Sequence, residues 1–128
     1  MKIRHESHGS QSVTMEGNAI IHYPKGQFNK AGVMHQVDLV LELIETNKKP
    51  HWYYIEAPSK DAHMTDEALT MLGLCYQELA KIGCHGVVLV QTSALQVMYV
   101  SKACQHSGLS FLASTSTVEE ALELVNKR

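Results

Sequence analysis

Eight histidines and three cysteines are the residues of this chain best suited to metal binding or covalent chemistry. A zinc site needs three or four ligands converging tetrahedrally, usually with a recognisable local spacing. His5 and His8 lie three apart, while His22, His35, His51, His63, His85 and His106 are scattered, and no H-E-x-x-H or Cys/His cluster occurs. No metal and no cofactor are therefore expected. Cys75, Cys84 and Cys104 are odd in number and form no C-x-x-C pair, the pattern of three reduced thiols. Cys84 adjoins His85, yet a nucleophilic thiolate needs a base within hydrogen-bond reach and a lowered pKa, and adjacency supplies neither. Cys84 is expected to fill space where the chain enters a sheet. The sequence has no G-x-S-x-G elbow, Walker loop or G-x-G-x-x-G fingerprint. It thus predicts a protein that is not an enzyme.

Hydroxyls and carboxylates give a better-defined candidate. Residues 58–73, PSKDAHMTDEALTMLG, join an apolar strand at 52–55 to an amphipathic helix carrying Leu69, Leu72, Tyr76 and Leu79. Thr65 can cap that helix, and Asp66 and Glu67 put negative charge in its first turn, where the dipole favours it. With Asp61 and His63 they form a polar rim. Two further loops, Gln91-Thr92-Ser93 and the segment ending in Ser116-Thr117, also precede helices. Exposed backbone N–H groups at such ends can receive an anion or a partner carboxylate. The simpler reading makes Thr65, Ser93 and Thr117 helix caps only. Met34, Met64, Met71 and Met98 could line an adaptable apolar pocket, although ordinary core packing is the simpler and favoured reading.

The elements that must position these loops follow from punctuation and periodicity. A weakly patterned first strand, within 12–15 or 2–5, leads through a Gly17-Asn18 turn to a second strand at 19–23. Asn29 caps a helix reaching Asn47, with Val33, Val37, Val40, Leu41 and Ile44 as its apolar stripe and Lys48-Lys49-Pro50 as its end. The helix opened by Thr65 stops at Gly83. Val87 to Val90 reads as a central parallel strand, apolar on both faces. A helix over 94–106 ends at Gly108, a strand covers 109–113, and Thr117 and Glu120 stand at capping-box spacing before VEEALELV. The order β-β-α-β-α-β-α-β-α predicts one α/β domain over residues 1–128, a mixed and mostly parallel sheet with helices on its faces.

The chain contains 45% hydrophobic and 19% charged residues with a net charge of −2, a composition that fits a folded domain. The charge balance offers no broad attraction to nucleic acid or an anionic membrane. No apolar run approaches the roughly 20 residues that span a bilayer, and the N-terminus lacks a signal-peptide core. A cytoplasmic protein is expected.

In this order, the stretches Gly26-Gln27-Phe28-Asn29, Trp52 to Glu56, Leu79-Ala80-Lys81-Ile82-Gly83 with Val87 to Val90, and Ser114 to Leu122 resemble those of the STAS domain. That family is named for sulphate transporters and anti-sigma-factor antagonists, and the likeness is strongest to its small bacterial sporulation-antagonist-like members. The resemblance implies a regulatory protein-binding module, with an anti-sigma-factor-like or other regulatory protein as partner and a homodimer as a further assembly. In signalling members a serine or threonine opening the second helix is phosphorylated. Here that region reads Met64-Thr65-Asp66-Glu67-Ala68, without the family's glycine and with Asp66 or Glu67 at the serine position, which implies that no phosphorylation switch operates. Similar folds bind lipids, so a small-molecule carrier with a lipid-like or anionic ligand is the alternative.

Overall fold

A computed structural model describes residues 9–91 and 93–128. The chain runs β1 (Ser10–Glu16), β2 (Ala19–Lys25), β3 (Gln27–Phe28), α1 (Lys30–Asn47), β4 (Trp52–Glu56), β5 (His63–Met64), α2 (Asp66–Lys81), β6 (Cys84–Val90), α3 (Ala94–Ser107), β7 (Phe111–Thr115) and α4 (Val118–Asn126). The principal sheet has the order β1-β2-β4-β6-β7. β1 pairs antiparallel with β2 through the turn at Gly17, and every later pairing in that sheet is parallel. The expected α/β architecture with an antiparallel edge is therefore the one observed.

Side-chain alternation sorts the two faces. Ile20, Trp52, Tyr54, Val87 and Leu89 point to a core shared with α1, α2 and α3. Ala19, Ile21, Ile55 and Val88 point the other way, onto Ala121 and Val125 of α4. β4 and β6 lie inside the sheet and are covered on both sides, which explains their unbroken apolar runs.

Each helix starts where its cap stands. Asn29, Thr65, Ser93 and Thr117 have extended backbones, and their side chains accept from the N–H three residues on. Glu120 reaches back to the N–H of Ser116 rather than to Thr117, so the capping box is displaced by one residue. α1 ends on Lys48, a non-glycine residue in the left-handed region whose N–H bonds Ile44.

Some sequence expectations shift. The first strand is β1, which contains the expected 12–15 segment; the alternative at 2–5 lies outside the described residues. The last strand begins at Phe111, two residues later than the spacing suggests, because the ladder with β6 opens at the Val87–Phe111 pair and Leu109, though buried, lies before it. On α1, Leu41 is exposed and the stripe runs through Gln36 instead. The short parallel pair β3–β5, Gln27 with His63 and Phe28 with Met64, has no counterpart in the sequence reading.

Candidate functional site

The parallel strands direct their C-terminal ends to one edge, where three loops gather. Loop 57–65 is tied to the first connection: Ala57 N–H donates to His22 O, Ser59 N–H to Pro24 O, His63 N–H to Gly26 O and Thr65 N–H to Phe28 O. Asp61 accepts from the Ser59 hydroxyl and the Gly26 N–H, which holds its carboxyl below the usual range. Buried Gln96 of α3 donates to Ser59 O at 2.9 Å, and the Gln91 N–H donates to Thr115 O at 2.9 Å. Hydrogen bonds thus join loop 57–65 to α3 and the loop after β6 to β7.

Asp61, His63, Asp66, Glu67, Gln91, Ser116 and Thr117 are exposed, and Thr65 and Ser93 are half-buried at their caps. Thr92 lies outside the described residues. Asp66 and Glu67 stand in the first turn of α2, facing solvent. Across a surface groove of about 430 Å³, Glu67 meets Asn29, Lys30, Ala31 and Met34 from the start of α1. Met34 is 51% exposed there, and Met98 is exposed on α3, so neither packs in the core. Met71 packs against the core, and Met64 lines a separate small cleft.

That cleft, about 30 Å³, lies under loop 57–65 between Pro24, Phe28, Pro58, Leu72, Tyr99 and Val100, with Glu56 in its wall. It has room for two or three water molecules, each needing roughly 10–15 Å³. Glu56 ends β4 and is buried with a full set of donors. Its Oε1 accepts from Tyr76 OH at 2.8 Å and from Gln36 Nε2 at 3.1 Å. Its Oε2 lies 2.6 Å from His22 Nδ1. Gln36 Nε2 also donates to Tyr54 OH at 2.6 Å. On the far side of His22, Nε2 meets Gln11 Oε1 at 2.7 Å, and Gln11 Nε2 donates to Gly32 O at 2.9 Å. Because that last bond turns the Gln11 carbonyl towards His22, Nε2 must carry a proton. One further proton lies between Nδ1 and Oε2. Imidazolium with carboxylate, or imidazole with acid, gives the same neutral pair, which is how the interior tolerates it.

Burial, and secondly the Glu56 charge, hold the Tyr54 and Tyr76 phenols well above their usual range, so both remain donors or acceptors without ionising. This network is absent from the sequence reading. Its signal was faint: Gln36 lies three residues after Val33 and four before Val40, on the buried side of α1.

The thiols are inert by the same physics. Burial pushes the Cys84 and Cys104 thiols up to about 12, and Cys75 still higher. Cys84 donates to Gly86 O, and its neighbour His85 instead meets His51. Among the described residues, no group of three or more His, Cys, Asp or Glu converges on a metal-sized point. No helix among them is long and apolar enough to cross a membrane.

No protein-family model matches the chain, and no curated protein sequence matches it significantly. Solved structures do. The unphosphorylated anti-sigma factor antagonist SpoIIAA superposes with a TM-score of 0.63 at 16% identity, over 93% of this chain and all of that one. The protein TM1081, solved by NMR, gives 0.62 at 14% identity, over 100% of this chain and 98% of its own. An uncharacterised Shewanella loihica PV-4 protein described as having a SpoIIAA-like fold gives 0.62 at 10% identity, covering 97% and 98%. The chain therefore has the SpoIIAA-like, STAS-type fold along essentially its whole length.

Proposed function

We propose that this chain is a non-enzymatic regulatory module that binds a protein partner through the edge bearing Asp61, His63, Thr65, Asp66 and Glu67, with Gln91, Ser93, Ser116 and Thr117 on its rim and Thr92 carried over from the sequence. The observation that carries the reading is the exposed acidic first turn of α2 set across a groove from exposed Met34. An apolar anchor beside two carboxylates suits a partner with a small apolar pocket flanked by Lys or Arg. A regulatory protein of anti-sigma-factor type is the partner class that the fold suggests, and a second copy of the chain is the other.

Thr65 is a cap and not a switch in this reading. Its hydroxyl already accepts from the Ala68 N–H at 3.1 Å, and a phosphate there would face Asp66 and Glu67. The two carboxylates supply permanent negative charge where signalling relatives would add it. Three buried thiols accord with a cytoplasmic location.

The Asp66→Lys/Glu67→Lys double variant is expected to lose the partner that wild type retains from native lysate. Both side chains are exposed, so the fold should survive the change. Identical partner sets for the two proteins would sink this surface.

The small cleft beneath loop 57–65 favours a second reading, a small-molecule carrier. Its apolar wall suits a compact lipid-like body, since the Glu56 oxygens are already occupied by Tyr76, Gln36 and His22. At about 30 Å³ it would have to widen by displacing loop 57–65. Native mass spectrometry of gently purified protein should then show a retained adduct of small mass. Unadorned protein across repeated preparations would remove this reading.

A further inference from the structure

At the opposite end of the sheet from the acidic edge, His51 and His85 come together. His51 immediately precedes β4, and His85 is the second residue of β6. The register pairs Trp52 with Cys84 and then shifts, setting the two histidines side by side across neighbouring parallel strands. His51 Nδ1 and His85 Nε2 are 2.8 Å apart, with ring centroids 4.8 Å apart and planes tilted by 56°. Tyr53 lies against His85 at 5.9 Å, which places the pair on the α4 side of the sheet. The nine-residue α4 packs over Ile55 and Val88 and leaves both histidines exposed. Two imidazoles with nitrogens at this separation, both open to solvent, have the form of a chelate.

We propose that His51 and His85 form a bidentate surface site for a late first-row transition-metal ion, with Cu(II) favoured as the ion that heads the affinity order for nitrogen ligands. With metal–nitrogen bonds of about 2.0–2.1 Å, adjacent corners of a square plane put two nitrogens about 2.9 Å apart, and tetrahedral corners about 3.3 Å. The observed 2.8 Å is a hydrogen-bond length, so each ring must turn before either geometry is reached. A square-planar or tetragonal site with nitrogen ligands is the Cu(II) or Ni(II) preference, and Cu(II) heads the affinity order. On binding, the ring that donates the hydrogen bond passes that proton through solvent to its own other nitrogen, so both facing nitrogens present lone pairs and no net proton is lost from the neutral pair. Each exposed ring then turns so that its freed lone pair points at the metal, and water completes the coordination.

The test uses full-length, tag-free, metal-stripped protein titrated with CuCl2. His51→Gln, His85→Gln and the double variant are compared with His35→Gln, which removes an exposed histidine of α1. Electron paramagnetic resonance of the 1:1 wild-type complex is expected to show two coordinated imidazole nitrogens, and one in either single variant of the pair. Each of those variants is expected to bind roughly 10²-fold more weakly, the order of the advantage when a second contact is made intramolecularly. His35→Gln should bind as wild type does, and Zn(II) should bind wild type more weakly than Cu(II). Equal Cu(II) affinity in wild type and the double variant would overturn the site, as would a one-nitrogen spectrum for wild type. Matching thermal unfolding of all five apo proteins separates loss of ligand from loss of fold.

Discussion

His22→Leu is expected to destabilise the chain by about 3–5 kcal/mol, the usual cost of removing one partner of a buried ion pair, whereas Glu56→Gln should cost only about 1 kcal/mol. The difference follows from donor and acceptor counts. Glu56 accepts from Tyr76, Gln36 and the Nδ1 side of His22, and it is 4% exposed. Leucine at position 22 removes the positive partner and leaves a carboxylate that must either stay ionised without it or take up a proton. It also strands the Gln11 carbonyl, which Gly32 O holds in place from the amide side. Glutamine at position 56 keeps the pattern intact. Its carbonyl still accepts from Tyr76 and Gln36, and its amide donates to Nδ1 of a neutral His22 whose proton stays on Nε2. Urea unfolding monitored by Trp52 fluorescence measures both, with unchanged slopes confirming that the unfolded states are comparable. If the two substitutions cost the same, the neutral shared-proton pair is wrong. A double variant His22→Leu/Glu56→Leu should recover part of the loss, because removing both partners leaves no buried charge.

The parts of this molecule that were legible in the sequence are those set by local chemistry. Asn29, Thr65, Ser93 and Thr117 cap their helices because an extended residue with a side-chain acceptor satisfies N–H groups three residues on, and both partners lie in the same short stretch. Val87 to Val90 betrayed a doubly covered strand because nothing polar interrupts it. The buried network was hidden because its members come from β1, β2, α1, β4 and α2, and a polar residue in an apolar stripe reads as a gap. Counting apolar side chains on α1 selects Leu41 and passes over Gln36, although Gln36 is fully buried and Leu41 is 37% exposed. The β3–β5 pair escaped for a different reason, since two-residue strands carry no periodicity. His51 and His85 met through a register shift in the β4–β6 ladder, a property of pairing that neither strand announces alone. For the acidic edge, sequence placed Asp66 and Glu67 in a first helical turn, but Met34 opposite them needed the packing of α1 beside α2.

Gly83→Ala should be among the most destabilising small substitutions, at about 3 kcal/mol, combining strain of the 1–3 kcal/mol kind for a sparsely populated backbone with a steric clash. Gly83 has φ +109°, a region that L side chains rarely adopt. A methyl group there would overlap the Pro50 carbonyl oxygen and lie 3.1 Å from its carbon and 3.3 Å from Trp52 Nε1. Pro50 cannot yield easily, since Gly83 O accepts the Trp52 N–H at 3.1 Å and Ile82 O accepts the Trp52 indole N–H at 3.1 Å. Those bonds fix the point where β4 starts, and through it the direction of Tyr54 and Glu56 along the strand. Gly108 supplies the control. It too has a positive φ, +77°, but a methyl group there meets nothing within 4 Å. Gly108→Ala therefore bears only the cost of left-handed backbone, about 1–2 kcal/mol. Chemical unfolding of the two variants side by side separates conformational strain from collision, and a cost for Gly83→Ala no greater than for Gly108→Ala would show that the 50–52 segment moves aside at little expense. The larger cost follows if, as the hydrogen bonds to Trp52 indicate, the end of α2 and the start of β4 are one rigid corner.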